Sequence, residues 1–248
     1  MKVIIVWAIY AVAINLLLWR AGLRLPKVSN KNSSAQKPNR ILIIGATGGT
    51  GRRLVDQALE RGYTVTAMVR NASKLGVENA RLNVICGDVL DYKSVAAALQ
   101  GQDAVLSALG HKRFFYPTRI LSEGTQNILR AMEANGVRRF VCETALGFGD
   151  TVGRMGLLYT FIVIPLVLPF YFFDKTRQEQ AIAKSNLDWT IVRPGALTNS
   201  RKRGVKHHGD NVGNFIIGAR ISRADVADFM LDQLESDDYL GQSPGISW

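Results

Sequence analysis

The chain has 248 residues, 47% of them apolar and 21% charged, and a formal net charge of +11. That length can bury a full core and suits one α/β domain. Two cysteines, Cys86 and Cys142, exclude a disulfide framework and point to a reducing compartment, and three histidines give no metal-ligand spacing, so no metal is expected.

The first predicted element is an apolar helix over residues 1–20. Val3 to Trp19, VIIVWAIYAVAINLLLW, carries no charge and has Asn15 as its polar residue. It lies at the short end of the range that spans a bilayer, with Trp7, Tyr10 and Trp19 as interfacial anchors. A targeting peptide and an apolar helix packed on the domain are the alternatives, although no small-x-small cleavage pattern follows. Arg20, Arg24, Lys27, Lys31, Lys37 and Arg40 follow the run and Lys2 precedes it. The positive-inside rule then leaves the rest of the chain facing the cytoplasm from a membrane anchor. Residues 21–39 lack periodicity and read as a polar, basic linker that anionic headgroups attract. No nucleic-acid motif accompanies the charge, so nucleic acid is not an expected partner.

Residues 40–248 read as a doubly wound α/β domain. The apolar run Ile41–Ile44 enters a turn with glycines at Gly45, Gly48 and Gly51, and an amphipathic helix, Gly62 and a second apolar run ending at Arg70 follow. Strand, glycine-rich turn, helix and strand in this order read as a dinucleotide cradle, a glycine-rich turn without a ligand being the alternative. One glycine permits the turn, one lets the backbone approach a pyrophosphate and one lets helix pack on strand; the N-terminal N–H groups and dipole of the helix face the phosphates. The spacing G-x-x-G-x-x-G differs by one position from G-x-G-x-x-G. An acid at the end of the second strand would bind the ribose of NAD; Arg70 stands there, which favours the 2′-phosphate of NADP, with Arg52, Ser73 and Lys74 able to assist, and a solvated surface arginine is the alternative.

Further strands are predicted at Leu82–Cys86, Ala104–Leu109, Phe140–Cys142 and Asp188–Val192. Helices are predicted at residues 93–100, with Asp91 as cap, and at Thr118–Asn135. Strands alternating with helices give a Rossmann-like, doubly wound parallel sheet, whose ligand lies beyond the C-terminal strand ends. Those ends are Gly45, Arg70, Asp88, Leu109–Gly110, Thr144 and Arg193 to Leu197. Asp88 either meets the adenine edge or caps the next turn. Leu157–Phe173, LLYTFIVIPLVLPFYFF, is uncharged and holds Pro165 and Pro169. The prolines disfavour a straight span, which leaves a hydrophobic flap above the site, suited to a lipophilic substrate, or a buried helix or dimer contact. The basic stretch 201–210 either covers the substrate or is a solvated loop. The tail contains a helix capped by Ser222 and a final edge segment.

The motifs GATGGTG, VRNASKL, GDVLD, DAVLSALG and SNLDWTIVRPGAL occur in that order, and together the chain resembles the atypical short-chain dehydrogenase/reductases with an NmrA-like NAD(P)-binding domain, over roughly residues 40–240. The resemblance implies cofactor contacts at Gly45, Thr47, Gly48, Gly49 and Thr50, at Arg70, Ser73 and Lys74, and at Asp88 and Val89 beside adenine. It further implies Leu109 and Gly110 beside ribose or nicotinamide, Cys142 and Thr144 beyond the fifth strand, and Lys175, Pro194 and Leu197 at the nicotinamide end. Flavin-reductase-like members have a histidine where this chain has Ala196, so that polar contact is missing. Related short-chain enzymes use Tyr-x-x-x-Lys as acid and positioning lysine, which implies Tyr171 and Lys175 with Thr144 as the third hydroxyl; Tyr171 as a packing or membrane-interface aromatic is the alternative. The expected function is an NADP(H)-dependent reductase acting on a small carbonyl, quinone or flavin-like acceptor. The alternative is an NADP-binding regulatory or assembly protein without turnover; a nucleotide-sugar isomerase has less support, because the chain is short for a substrate-binding extension. If the N-terminal run is an anchor, carbonate extraction leaves the full-length protein in the membrane pellet; its release into the soluble fraction contradicts that reading.

Overall fold

A computed structural model describes residues 2–22 and 38–248. Most of the predicted linker, residues 21–39, lies outside the described residues. In chain order the elements are α1 (Lys2–Ala21), β1 (Arg40–Ile44), α2 (Gly49–Glu60), β2 (Thr64–Val69), β3 (Leu82–Cys86), α3 (Tyr92–Leu99), β4 (Ala104–Ser107), α4 (Ile120–Ala134) and β5 (Arg139–Glu143). The second half contains α5 (Gly156–Leu158), a π-helical stretch (Tyr159–Val163), α6 (Ile164–Val167), α7 (Pro169–Ala183), β6 (Asp188–Pro194), β7 (Ala196–Thr198), β8 (His207–Gly209), β9 (Arg220–Ser222), α8 (Arg223–Asp232) and β10 (Gly245–Ser247).

The large sheet runs β3-β2-β1-β4-β5-β6-β10-β8. All neighbours are parallel except β10 and β8. The strand order reverses between β1 and β4, which puts the crevice for a ligand above their C-terminal ends. Alternation along β1 explains the two faces. Ile41 and Ile43 pack with Leu54 and Val55 of α2 and with Val226 and Met230 of α8. Leu42 and Ile44 pack with Val95, Ile128, Phe140 and Trp189 on the other face. Successive strand residues point to opposite sides, so a strand buried on both faces is apolar throughout.

The first six strands fall where their apolar runs predict them, with ends shifted by a residue or two. Strand β4 stops at Ser107, short of the expected Leu109. Asp91 caps α3 by accepting the Lys93 N–H at 3.0 Å, and Ser222 caps α8 by accepting the Asp225 N–H at 3.0 Å. The C-terminal segment differs from expectation: β10 is internal, between β6 and β8, and β8 from the basic stretch forms the edge. Three-residue strands carry too short an alternation to announce their neighbours. The basic stretch itself is tied down. Lys202 pairs with Asp228 at 2.6 Å, the Arg203 and Gly204 N–H groups donate to Asp225, and the Arg203 guanidinium lies over Trp248.

Helix α4 begins at a residue that supplies no side-chain cap. Its cap comes from α7: buried Asp174 accepts the Leu121 N–H at 2.9 Å, the Ser122 N–H at 3.2 Å and the Ser122 hydroxyl at 2.5 Å. A carboxylate on a helix N-terminus is favoured by both hydrogen bonding and the dipole. Asp174→Ala should therefore lower stability by about 1–3 kcal/mol, read as a fall in thermal midpoint; an unchanged midpoint contradicts this cap.

Candidate functional site

The glycine turn follows from space as much as from flexibility. Gly45 has φ +81°, and a Cβ there would stand 2.4 Å from the Ala108 carbonyl oxygen at the end of β4. A Cβ on Gly51 would stand 2.0 Å from the Gly45 carbonyl oxygen. Gly48 is the N-cap of α2 and offers no side chain. The first turn of a helix has no internal partners for its N–H groups, so α2 presents them beyond the end of β1. Thr47 is half-buried beside them. Thr50 is buried and its hydroxyl donates to Glu143 at 3.1 Å. Gly49 lies against the Arg223 side chain, where a Cβ would meet Cδ and Nε at 2.5 Å.

Beyond β2, Arg70 is exposed and, among the described residues, has no hydrogen-bond or ion-pair partner. Ser73 and Lys74 occupy the 3₁₀ turn Ala72–Lys74 just after it, where Asn71 accepts the Ser73 N–H and hydroxyl. Arg52 of α2 donates to the Lys74 carbonyl at 2.5 Å and so joins this loop to the glycine turn. Asp88 Oδ1 accepts the Leu90 N–H at 3.0 Å, the turn-capping role. Val89 packs against Gly124 of α4, and its carbonyl accepts from Asn127.

Beyond β4 and β5 the site becomes crowded and ionic. Leu109 is half-buried and Gly110 exposed, and a Cβ on Gly110 would lie 3.6 Å from the Tyr171 hydroxyl. His111 and Phe114 meet the Tyr171 ring edge-on, at centroid distances of 4.9 and 5.6 Å. Burial lowers the His111 pKa, favouring the neutral ring. Its Nδ1 accepts the Arg113 N–H, so we assign the proton to Nε2, which donates to Thr118. Lys175, one turn beyond Tyr171, is buried with Nζ 5.2 Å from the centre of the Tyr171 ring. Burial pulls the Lys175 pKa down, and the acidic groups of Tyr171, Cys142, Glu143 and Glu179 more than offset it, leaving the ammonium favoured. Burial pushes the Glu143 carboxyl up, opposed by Lys175 and Thr50.

Cys142 differs from a strand-end contact: its side chain is wholly buried in the core under Gln178, and burial pushes its thiol up to about 12. Thr144 is at the end of β5, but its hydroxyl donates to Glu179 at 2.6 Å. Glu179 in turn holds Arg193 through two contacts, Nε–Oε1 at 3.0 Å and Nη2–Oε2 at 2.6 Å, and Arg193 reaches Asp150 at 2.8 Å. Burial would lower the Arg193 pKa, and Glu179 and Asp150 outweigh it and keep it above its ordinary range. Pro194 is buried at the end of β6, and Leu197 is exposed on β7. Sequence reasoning gave no role to Glu143, Arg223 or the Glu179–Arg193–Asp150 network. One signal was present: Glu179 follows Lys175 by four residues and therefore shares its helix face. A separate cavity of about 640 Å³ lies on the outer flank of α2, lined by Arg53, Asp56, Arg81 and Lys202 among others, away from the strand ends.

Strand order and glycine turn define an NAD(P)-binding Rossmann-like protein. Residues 45–237 match the family described as NAD(P)H-binding, and the chain belongs to that family. It is 31% identical to an uncharacterized chloroplastic protein of Arabidopsis thaliana over 184 residues, 69% of this chain and 64% of that one. It is 27% identical over 157 residues to the photosystem II assembly factor Ycf39 of a Synechocystis strain, 62% of this chain and 44% of that one. The chain thus spans less than two thirds of either relative's length. A short-chain dehydrogenase/reductase of Veillonella parvula in complex with NADP shares the fold at a TM-score of 0.72 and 19% identity, covering 85% of this chain and 95% of that one.

Glu179→Ala would leave the Arg193 guanidinium buried without its bidentate carboxylate. The expected cost is about 3–5 kcal/mol, read by denaturation, with much of it recovered when Arg193→Met is added. Equal instability of the single and double variants contradicts a buried ion pair as the cause.

Proposed function

We propose that the protein is an NADPH-dependent reductase held at a membrane by α1, its domain facing the cytoplasm, with a small carbonyl, quinone or flavin-like acceptor. The observation that carries the cofactor reading is Arg70: an exposed guanidinium without a partner among the described residues, one residue beyond β2. A 2′-phosphate would give it that partner, with Ser73 and Lys74 beside it. The α2 N-terminus fits a pyrophosphate, since its unpaired N–H groups lie beyond the end of β1, and Gly45 and Gly51 let the turn close tightly beneath it. Thr47 and Thr50 line the same turn, Val89 and the second oxygen of Asp88 would face adenine, and Leu109, Gly110, Pro194 and Leu197 would border ribose and nicotinamide. Cys142 would contribute through its backbone alone. When bound, NADPH supplies the hydride.

The protein's own share is positioning and proton supply. Tyr171 is the proposed proton donor, its hydroxyl next to Gly110. Lys175 is a buried cation directly beneath it, favouring negative charge there. Thr144 acts at one remove in this proposal: its hydroxyl is committed to Glu179 and orients the carboxylate near Lys175. That commitment also favours a second reading, an NADP-binding regulatory or assembly protein without turnover, in line with the name of the Synechocystis relative.

Arg70→Glu should raise the Michaelis constant for NADPH by about 10–100-fold and affect NADH far less; equal effects on both contradict the 2′-phosphate role. Full-length protein assayed with a panel of quinones and flavins should oxidise NADPH, and Tyr171→Phe should lower kcat by about 10²–10⁴-fold. Tight NADPH binding with no oxidation, unchanged in Tyr171→Phe, selects the regulatory reading.

A further inference from the structure

Prolines 165 and 169 free particular carbonyls. Pro165 has no N–H for Thr160, five residues before it in the π-helical register, and Pro169 has none for Pro165, four residues before it. Both carbonyls are satisfied by α1. Asn15 Nδ2 donates to the Thr160 carbonyl at 2.8 Å, and the Tyr10 hydroxyl donates to the Pro165 carbonyl at 3.2 Å. Asn15 also donates to its own helix at Ala11, while its Oδ1 has no partner among the described residues. A buried asparagine with one orphan oxygen is costly, and its two donated bonds offset that cost. At the other end, Gln180 of α7 donates to the Ala21 carbonyl at 2.5 Å, the terminal carbonyl of α1. Gly22 meets Gly149 backbone to backbone, where a Cβ would stand 2.2 Å from the Gly149 Cα.

Helix α1 is thus docked by one face: Ala11, Asn15 and Leu18 are buried. Its opposite face exposes Val6, Ile9 and Leu16 at 50–66%. The docking partner bends by 95° between α6 and α7 and is itself apolar outside, with Leu158 65% and Leu166 50% exposed. The loop after Asn214 continues this surface: Phe215 touches the Phe161 ring, and Ile216 and Ile217 are largely exposed. Thr160 and Pro165 are buried under α1, so their freed carbonyls need protein donors; hydrocarbon around the exposed apolar faces imposes the same demand, which neighbouring helices meet.

We infer that α1, the bent segment Gly156–Phe170 and the tip Phe215–Ile217 form one surface immersed together in the apolar layer of a lipid bilayer, with Tyr10 and Asn15 as the donors that let the two prolines enter it. The occupant is a bilayer with anionic headgroups, in keeping with the net charge of +11 and exposed Arg20 at the end of α1. The inference rests on the anchor reading above and is independent of turnover. Tyr171 directly follows Phe170, so an acceptor dissolved in the bilayer would meet it from the membrane side.

The test uses full-length protein in vesicles of phosphatidylcholine and phosphatidylglycerol. In a Cys86→Ser background, a nitrobenzoxadiazole probe is attached at Leu166→Cys, Ile216→Cys, Val6→Cys or, as a solvent control in the turn before β3, Ala80→Cys. An unchanged far-ultraviolet circular dichroism spectrum certifies that each variant is folded. The expected result is blue-shifted emission, quenched by doxyl-labelled lipid chains, at positions 6, 166 and 216 and not at position 80. Adding Tyr10→Phe and Asn15→Leu should remove quenching at position 166 while leaving it at position 6. Quenching at position 6 alone overturns the inference and leaves α1 as a simple anchor. A blue shift at 166 that lipid quenchers do not reach also overturns it, because a second protein copy then covers the face. Failure to bind vesicles overturns both the inference and the anchor, whatever the NADPH assay gives.

Discussion

The site depends on the absence of side chains where β1, α2 and β4 converge. The Gly51 Cα lies so close to the Gly45 carbonyl that a Cβ would overlap it at 2.0 Å, and Gly45 is similarly pressed against Ala108. This close packing sets α2 with its N-terminus at the end of β1, beside the point where the sheet order reverses. Everything described at the strand ends is arranged around that fixed origin. Arg52 carries its position across to the loop holding Lys74, and Thr50 carries it to Glu143 at the end of β5.

The other half of the crevice is fixed by charge. Arg193 and Glu179 are almost fully buried and satisfy each other, with Asp150 and Thr144 completing the set. Such a network is weak evidence of net stability, since both ions are desolvated. Its effect is geometric: it ties α7 to β5 and β6, and α7 carries Tyr171 and Lys175. Asp174, on the same helix, fixes α4. The helix with the proposed proton donor is therefore held on three sides, while its first turn joins the apolar segment that receives α1.

Much of this was legible in the sequence. The apolar runs ended by Gly45, Arg70 and Gly110 located the inner strands β1, β2 and β4, because strands buried on both faces are apolar and ligands gather at their ends. Arg70 was legible for the same reason. Less legible were contacts between distant residues: Thr50 with Glu143, Thr144 with Glu179, and Arg193 with Asp150 depend on packing, and no local period encodes them. Thr144 could be placed at a strand end, but not its hydroxyl's partner. Cys142 counted as strand-end, and the pleat turned it inward. β7 to β10 were missed or misplaced because three residues carry no pattern. The prolines of the apolar run were readable as helix breakers, and the reason for Asn15 and Tyr10 in α1 emerged with the carbonyls those prolines free.

The central claim is that the strand-end crevice is a nucleotide site reading a 2′-phosphate. Isothermal titration of the full-length protein with NADPH and with NADH tests it directly. The account predicts saturable binding of NADPH, tighter than NADH. Equal or stronger binding of NADH, or no binding of either, would contradict it.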